Sequence, residues 1–232
     1  LERRFKVALR EWSEREQQAE VTWTRVPGRG RYEAFELAIG FGGDVVRYRF
    51  SEQAGLSNIA STLPDFVIKR MDATAPEIAV YLDGFQYHAS PEHNEIAADA
   101  RKRDDVRASG RLVWNLTWDD VEQFHKAVTA EVPREAPDRS LLDGRARTAA
   151  QRIQHGRAGL FDVSAIEQNP VALLLDFLVR PDLEQWRRTV LSAVGGLAAS
   201  AGVTSLDASG LARVLEECPG AEWPGTVSEP GG

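Results

Sequence analysis

Two acidic residues and a histidine follow one another in the first half of the chain, close to apolar runs. Asp65 directly precedes an apolar run at 66–68, and Asp83 directly follows a second run at 78–82. His88 comes five residues after Asp83. Carboxylates at the ends of two adjacent strands, with an imidazole beside them, can hold a divalent metal ion and activate water. These residues in this order therefore predict hydrolytic chemistry at a metal ion.

Each of the three residues also has an ordinary structural explanation. Asp83 followed by Gly84 is typical of a turn, and a single histidine is often a surface residue. Asp65 must lie at the edge of the sheet or be paired, because burying an unpaired charge costs free energy. His88 can be neutral near pH 7, so it can accept a proton from water. The three residues together favour a metal site over three unrelated explanations.

The elements around these residues predict an α/β fold in which helices flank a mixed central β-sheet. An amphipathic helix over residues 1–20 is followed by alternating segments typical of antiparallel hairpins. A charged helix that begins near Pro91 is expected to stop at Gly110. A buried strand at 111–117 follows, and then a helix capped by Thr117 or Asp119. The predicted fold therefore brings the acidic residues to strand ends.

The second half of the chain has a helical pattern throughout. Helices are expected at 146–155, 170–179, 182–199 and 208–217. Residues 219–232 are rich in Pro, Gly and Ser and are expected to be disordered. We therefore expect three parts: a domain at 1–132, a helical C-terminal extension at 140–218, and a tail at 219–232.

Composition restricts the class of protein. With 232 residues, 43% of them hydrophobic and 27% charged, the chain can bury a core. Cys218 is the single cysteine, which excludes an internal disulfide and a multi-cysteine zinc site and fits a reducing cytoplasm. No apolar run approaches the roughly 20 residues that span a bilayer. The sequence therefore predicts neither zinc nor a membrane as a partner.

Charge is unevenly distributed along the chain. The net charge of -7 argues against a protein that coats nucleic acid without specificity. Five basic residues nevertheless lie within eleven positions: Arg101, Lys102, Arg103, Arg107 and Arg111. A local basic patch is thus compatible with the negative net charge of the whole chain.

Several segments resemble the PD-(D/E)xK nuclease superfamily, and more closely its very-short-patch repair endonuclease-like branch. They are the segments at 64–66, 81–88, 99–103 and 110–114, together with the opening helix at 1–5. The resemblance covers about the first half of the chain. It implies a restriction-endonuclease-like fold and leaves the helical half unassigned.

The resemblance also implies roles for individual residues. Asp65 would be the main ligand of a magnesium ion, with manganese as an alternative, and the backbone carbonyl of Leu82 would complete the coordination. Asp83 would be a second acid, and His88 would take the general-base position that a lysine often holds. Glu2 would be an accessory acid from the first helix.

Nucleic-acid contacts are implied in the same way. Lys102 and Arg103 would face the phosphate backbone, as cationic side chains do. Arg101 and Tyr87 are the further candidates for binding nucleic acid.

The implied activity is that of a magnesium-dependent endonuclease acting on DNA in the bacterial cytoplasm. Leu1 stands at the start of a helix, and we expect a fragment of a larger protein, for example one linked to a helicase in genome defence or DNA repair. The sequence departs from the family pattern because Phe85 stands in the usual lysine position and Tyr81 where many relatives carry a glutamate. A catalytically inactive DNA-binding or protein-docking module is therefore an alternative. An adaptor whose helical half binds a larger partner is another.

Overall fold

A computed structural model of the protein describes residues 1–16, 20–30, 32–41, 43–56, 59, 62–83, 89–90, 93–94, 96–132, 134–139, 141–155 and 161–200. The chain divides into two compact units. The first comprises Leu1–Pro137 and Pro170–Val179, and the second comprises Asp138–Asn169 and the chain from Arg180.

A mixed six-stranded sheet forms the centre of the first unit. In sheet order its strands are β1 (Glu20–Val26), β2 (Ala34–Phe41), β3 (Asp44–Glu52), β4 (Phe66–Arg70), β5 (Ile78–Asp83) and β8 (Leu112–Thr117). Neighbouring strands are antiparallel from β1 to β5, whereas β5 and β8 are parallel. The short strands β6 (Ala89–Ser90) and β7 (His93–Asn94) form a separate pair. The predicted α/β class with a mixed sheet is confirmed.

Helices cover the central strands on both faces. Helix α1 (Glu2–Arg15) packs Phe5 against Phe66, with ring centroids 5.2 Å apart. Helix α2 (Ile96–Ala108) buries Val106 in a cluster with Val67 and other residues of the opposite face. Because successive side chains of a strand point to opposite faces, β4 is apolar on both. This explains the continuous apolar run that follows Asp65.

Two predicted boundaries follow from local chemistry. Gly110 has a φ of +82°, which favours glycine, and it ends α2 as expected. Helix α3 (Trp118–Val128) is capped by Thr117, whose side chain accepts from the Asp120 N–H. The Asp120 carboxylate accepts from the Thr117 N–H in return, which completes a capping box. Helix α1 ends earlier than predicted, at Arg15.

The helix at Pro170–Val179 belongs to the first unit, although the sequence grouped it with the helical extension. The indole N–H of Trp114 donates to the Pro170 carbonyl at 2.9 Å, and the Tyr48 hydroxyl donates to the Leu178 carbonyl at 3.0 Å. The helix is apolar on most of its surface, and it packs against β2, β8 and α3.

The helix of the first unit at Pro170–Val179 is α5. The second unit contains helix α4 (Gly144–Gln154), a 3-10 helix (Val163–Glu167) and helix α6 (Leu183–Ser200). A Cβ at Gly196 would come within 2.3 Å of the Ala146 carbonyl oxygen, so glycine permits the close approach of α6 to α4. The buried Glu167 carboxylate accepts from the Leu142 N–H and pairs with Arg147. Internal packing and a satisfied buried charge thus stabilise this unit.

Other expectations concern residues that the structure does not describe. The predicted helix at 208–217 and the tail at 219–232 lie outside the described residues. None of the helices in the described part of the chain has both the length and the apolar composition needed to cross a membrane.

The docking of α5 can be tested with Tyr48→Phe. Without the hydroxyl, the buried Leu178 carbonyl loses its donor, and we expect the free energy of unfolding to fall by about 1–3 kcal/mol. Urea denaturation followed by circular dichroism measures this change. An unchanged midpoint would show that the hydrogen bond contributes nothing to the attachment of α5.

Candidate functional site

The backbone of β5 fixes the carboxylate of Asp65. Its Oδ2 accepts a hydrogen bond from the Leu82 N–H at 2.7 Å. The backbone pairing of β4 with β5 ends one residue earlier, at Phe66 and Val80. The Asp65 side chain therefore takes over the acceptor role that the backbone of β4 would otherwise have at this end of the sheet.

The carbonyl of Leu82 points in the same direction as its N–H. In an antiparallel pair, the N–H and C=O of one residue face the same neighbouring strand. Extending the register of β4 and β5 by two residues places Pro64 opposite Leu82. Since proline has no N–H, it cannot donate to that carbonyl. The Leu82 oxygen is thus an acceptor on the side of Asp65.

Gln53 brings Glu2 and Asp65 together. Its side-chain amide donates to Glu2 Oε1 at 3.0 Å and to Asp65 Oδ1 at 3.4 Å. Its backbone N–H donates to the Asp65 carbonyl at 3.0 Å. Gln53 has a φ of +43°, in the left-handed region that residues other than glycine rarely adopt. Such backbone strain is found where the surrounding structure fixes a functional geometry.

The proximity of these acids changes the ionisation of Asp65. Burial raises the pKa of Asp65 to about 6, although the hydrogen bond from the Leu82 N–H favours the charged form. The charge of Glu2, its hydrogen bond with Asp65, and the charge of Asp83 raise the pKa further. Near neutral pH, this end of the sheet therefore carries negative charge that a proton or a cation would stabilise.

Asp83 has a different electrostatic environment. Its Oδ1 lies 2.5 Å from Arg103 Nη2, so a guanidinium from α2 neutralises this carboxylate. The guanidinium lies over the Tyr81 ring, 5.1 Å from its centroid. The Tyr81 hydroxyl forms a hydrogen bond with Thr62 at 3.1 Å. Tyr81 therefore contacts Arg103 through its ring and Thr62 through its hydroxyl.

The remaining candidates differ in their placement. Lys102 pairs with Asp99 on the same helix at 3.0 Å, and Arg101 is exposed. His88 and Tyr87 lie outside the described residues. The structure thus brings Glu2 and Asp65 together, with Asp83 near enough to affect the ionisation of Asp65.

The donor set at this edge consists of oxygen atoms. Within the described residues, no three side chains of His, Cys, Asp or Glu form a group that could hold a metal ion. The carboxylates of Glu2 and Asp65 and the carbonyl of Leu82 are nevertheless the ligand types that Mg²⁺ and Mn²⁺ prefer. These atoms fit a hard divalent cation, with Asp83 as a further ligand if it leaves Arg103.

Sequence reasoning found the acids but missed Gln53. A glutamine directly after a strand carries no sequence signal for a left-handed backbone. Nor does it indicate contacts with Glu2 and Asp65, which are 51 and 12 positions away in the sequence. The pairing of Arg103 with Asp83 was also missed, because the charged helix α2 has no distinct polar face in its sequence.

Comparison of the chain with known protein families, curated proteins and solved structures finds no match in any of the three. Function is therefore argued from the chemistry of the site, since a fold alone does not imply an activity.

The raised pKa of Asp65 can be tested with Asp65→Asn. Asparagine keeps an acceptor for the Leu82 N–H but carries no charge. Because the native state binds a proton more tightly than the unfolded state, wild-type stability should fall as the pH rises from about 4 to about 6 and should change no further above it. The variant should lack this loss and become more stable than the wild type at pH 7. Thermal unfolding between pH 4 and pH 8 measures the difference.

Asp72→Asn, two residues after the end of β4, is the matched control. The hydrogen bond from Arg70 lowers the pKa of Asp72, so its carboxylate stabilises the fold above its ordinary pKa. That variant should be less stable than wild type at neutral pH and approach it as the pH falls. If Asp65→Asn and Asp72→Asn respond to pH in the same direction, the assigned environment of Asp65 is wrong.

Proposed function

We propose that the protein is a metal-dependent endonuclease domain of the PD-(D/E)xK type that hydrolyses phosphodiester bonds in DNA. The observation that carries this proposal is the pairing of Glu2 and Asp65 through Gln53, beside the carbonyl of Leu82. A carboxylate whose pKa is raised by burial and by a neighbouring carboxylate is typical of a functional site in which a cation compensates the charge.

Each candidate residue has a separate role in this proposal. Asp65 is the main ligand of Mg²⁺ or Mn²⁺, held in one orientation by the Leu82 N–H and the Gln53 amide. Glu2 is the accessory acid, and Asp83 is the second acid. The bound cation would supply Lewis-acid polarisation of the phosphate and a lowered pKa for water. His88 is proposed as the group that accepts the proton of that water.

The phosphate backbone would be bound by basic residues of α2. Arg101 is exposed and Lys102 is partly exposed, so both can reach a polyanion. Because the whole chain has a net charge of -7, these contacts are local and should weaken steeply with salt. The role within a larger bacterial protein, for example a helicase-linked one, belongs to the same proposal.

A second function is favoured by a specific observation. The carboxylate of Asp83 is already neutralised by Arg103, and Tyr81 occupies a position where a further carboxylate would complete a metal site. A protein that kept this arrangement in all its states would not cut. It would be a nuclease-fold module that binds DNA or docks onto a protein.

Cleavage assays distinguish the two functions. Purified protein is incubated with single-stranded, duplex and branched DNA in the presence of Mg²⁺ or Mn²⁺, beside Asp65→Asn. We expect metal-dependent cleavage by the wild type and a loss of about 100-fold or more in the variant, because the metal supplies several kcal/mol of transition-state stabilisation. Asp72→Asn, the same substitution at the far end of β4, should cleave like the wild type.

The other outcomes are equally informative. DNA binding without cleavage supports the inactive module. Cleavage that Asp65→Asn retains would mean that Asp65 is not a metal ligand. The absence of both DNA binding and cleavage would contradict the nuclease and the DNA-binding module, and would favour the protein-docking module.

A further inference from the structure

Arg103 is held in an unusual set of contacts at the candidate site. One guanidinium nitrogen pairs with Asp83, and the guanidinium carbon lies over the ring of Tyr81. The side chain is 15% exposed, and its Nε is buried without a hydrogen-bond partner among the described residues. A buried donor without an acceptor costs free energy, so this arrangement leaves one donor unused beside the proposed metal ligands.

We propose that Arg103 is a positioning residue that holds Asp83 while the site lacks a metal ion and exchanges Asp83 for a phosphate of the nucleic acid when a divalent cation binds. The inference rests on the proposed function and extends it, because it makes the binding of metal and of DNA depend on each other. It assigns to Asp83 two alternative partners, the guanidinium and the cation.

The exchange follows from the properties of a guanidinium. Arginine keeps its charge at all relevant pH values, so Arg103 competes with any cation for Asp83. When the cation takes Asp83, the mostly buried guanidinium is left without a counter-charge, which is costly. A phosphate would remove that cost, since the planar group can donate two parallel hydrogen bonds to its oxygens.

The neighbouring basic side chains have other environments. Lys102 pairs with Asp99 on its own helix, and Arg107 pairs with Asp104 there. Arg101 is exposed. Arg103 forms the ion pair with Asp83, so its removal leaves this carboxylate without that guanidinium.

Metal and nucleic acid should therefore bind with positive coupling. A ligand that relieves the unpaired guanidinium makes the release of Asp83 easier and so strengthens metal binding. Thermodynamic linkage requires that the metal strengthen the binding of the nucleic acid by the same factor.

The direct test is a calorimetric titration of the protein with Mn²⁺ in the absence of nucleic acid. Arg103→Gln should bind Mn²⁺ roughly tenfold more tightly than the wild type, because a charge-assisted competitor has been removed. Arg107→Gln removes the same charge from the same helix and should bind like the wild type. In the background of Asp83→Asn, Arg103→Gln should bring no gain. Circular dichroism checks that each variant is folded.

A conservative variant keeps the test decisive if Arg103→Gln does not fold. Arg103→Lys retains the charge but loses the planar group, and its Mn²⁺ affinity should lie between those of the wild type and Arg103→Gln. A short single-stranded oligonucleotide should tighten Mn²⁺ binding to the wild type and leave Arg103→Gln unchanged. Equal or weaker Mn²⁺ binding by folded Arg103 variants would overturn the proposal, and so would the absence of Mn²⁺ binding in every protein.

The two proposals can fail separately. Tighter Mn²⁺ binding without Arg103 in a protein that never cleaves DNA would support the exchange and contradict the nuclease. Metal-dependent cleavage with a Mn²⁺ affinity that does not depend on Arg103 would support the nuclease and contradict the exchange.

Discussion

The hydrogen bond from the Leu82 N–H to Asp65 is the contact on which the site depends. The backbone pairing of β4 with β5 ends at Phe66 and Val80, and the Asp65 side chain accepts from the next N–H that faces β4. The bond orients the carboxylate and favours its charged form, but burial and the nearby acids outweigh it, since the pKa of Asp65 is raised. The sheet thus fixes a charged group in a place where its charge is unfavourable.

The acids at this edge of the sheet differ in whether a cationic side chain pairs with them. Glu2 and Asp65 share the neutral amide of Gln53 and no described cation contact, whereas Asp83 has the guanidinium of Arg103. In the function proposed above, a divalent cation would compensate the charge of Glu2 and Asp65. Under our proposals, the release of Asp83 from Arg103 distinguishes the nuclease from the binding module.

The sequence predicted the elements that depend on local patterns and missed the contacts that depend on tertiary structure. Apolar runs located β4 and β5, and with them the placement of Asp65 and Asp83 at strand ends. Gly110 ended its helix for a reason visible in the residue itself. By contrast, Gln53 reaches Glu2 only because the fold brings the end of β3 to the start of α1. The attachment of the helix at Pro170–Val179 to the first unit likewise depends on donors, such as Tyr48, that are far away in sequence.

The most direct measurement is an NMR titration of the side-chain carboxyl carbon of Asp65 in the metal-free protein and in the presence of Mg²⁺. We expect a midpoint near pH 6 without metal, well above the ordinary value of 3.8, and a clear shift to lower pH when Mg²⁺ is added. A midpoint at the ordinary value that does not respond to Mg²⁺ would contradict both the raised pKa of Asp65 and the metal site proposed at Glu2 and Asp65.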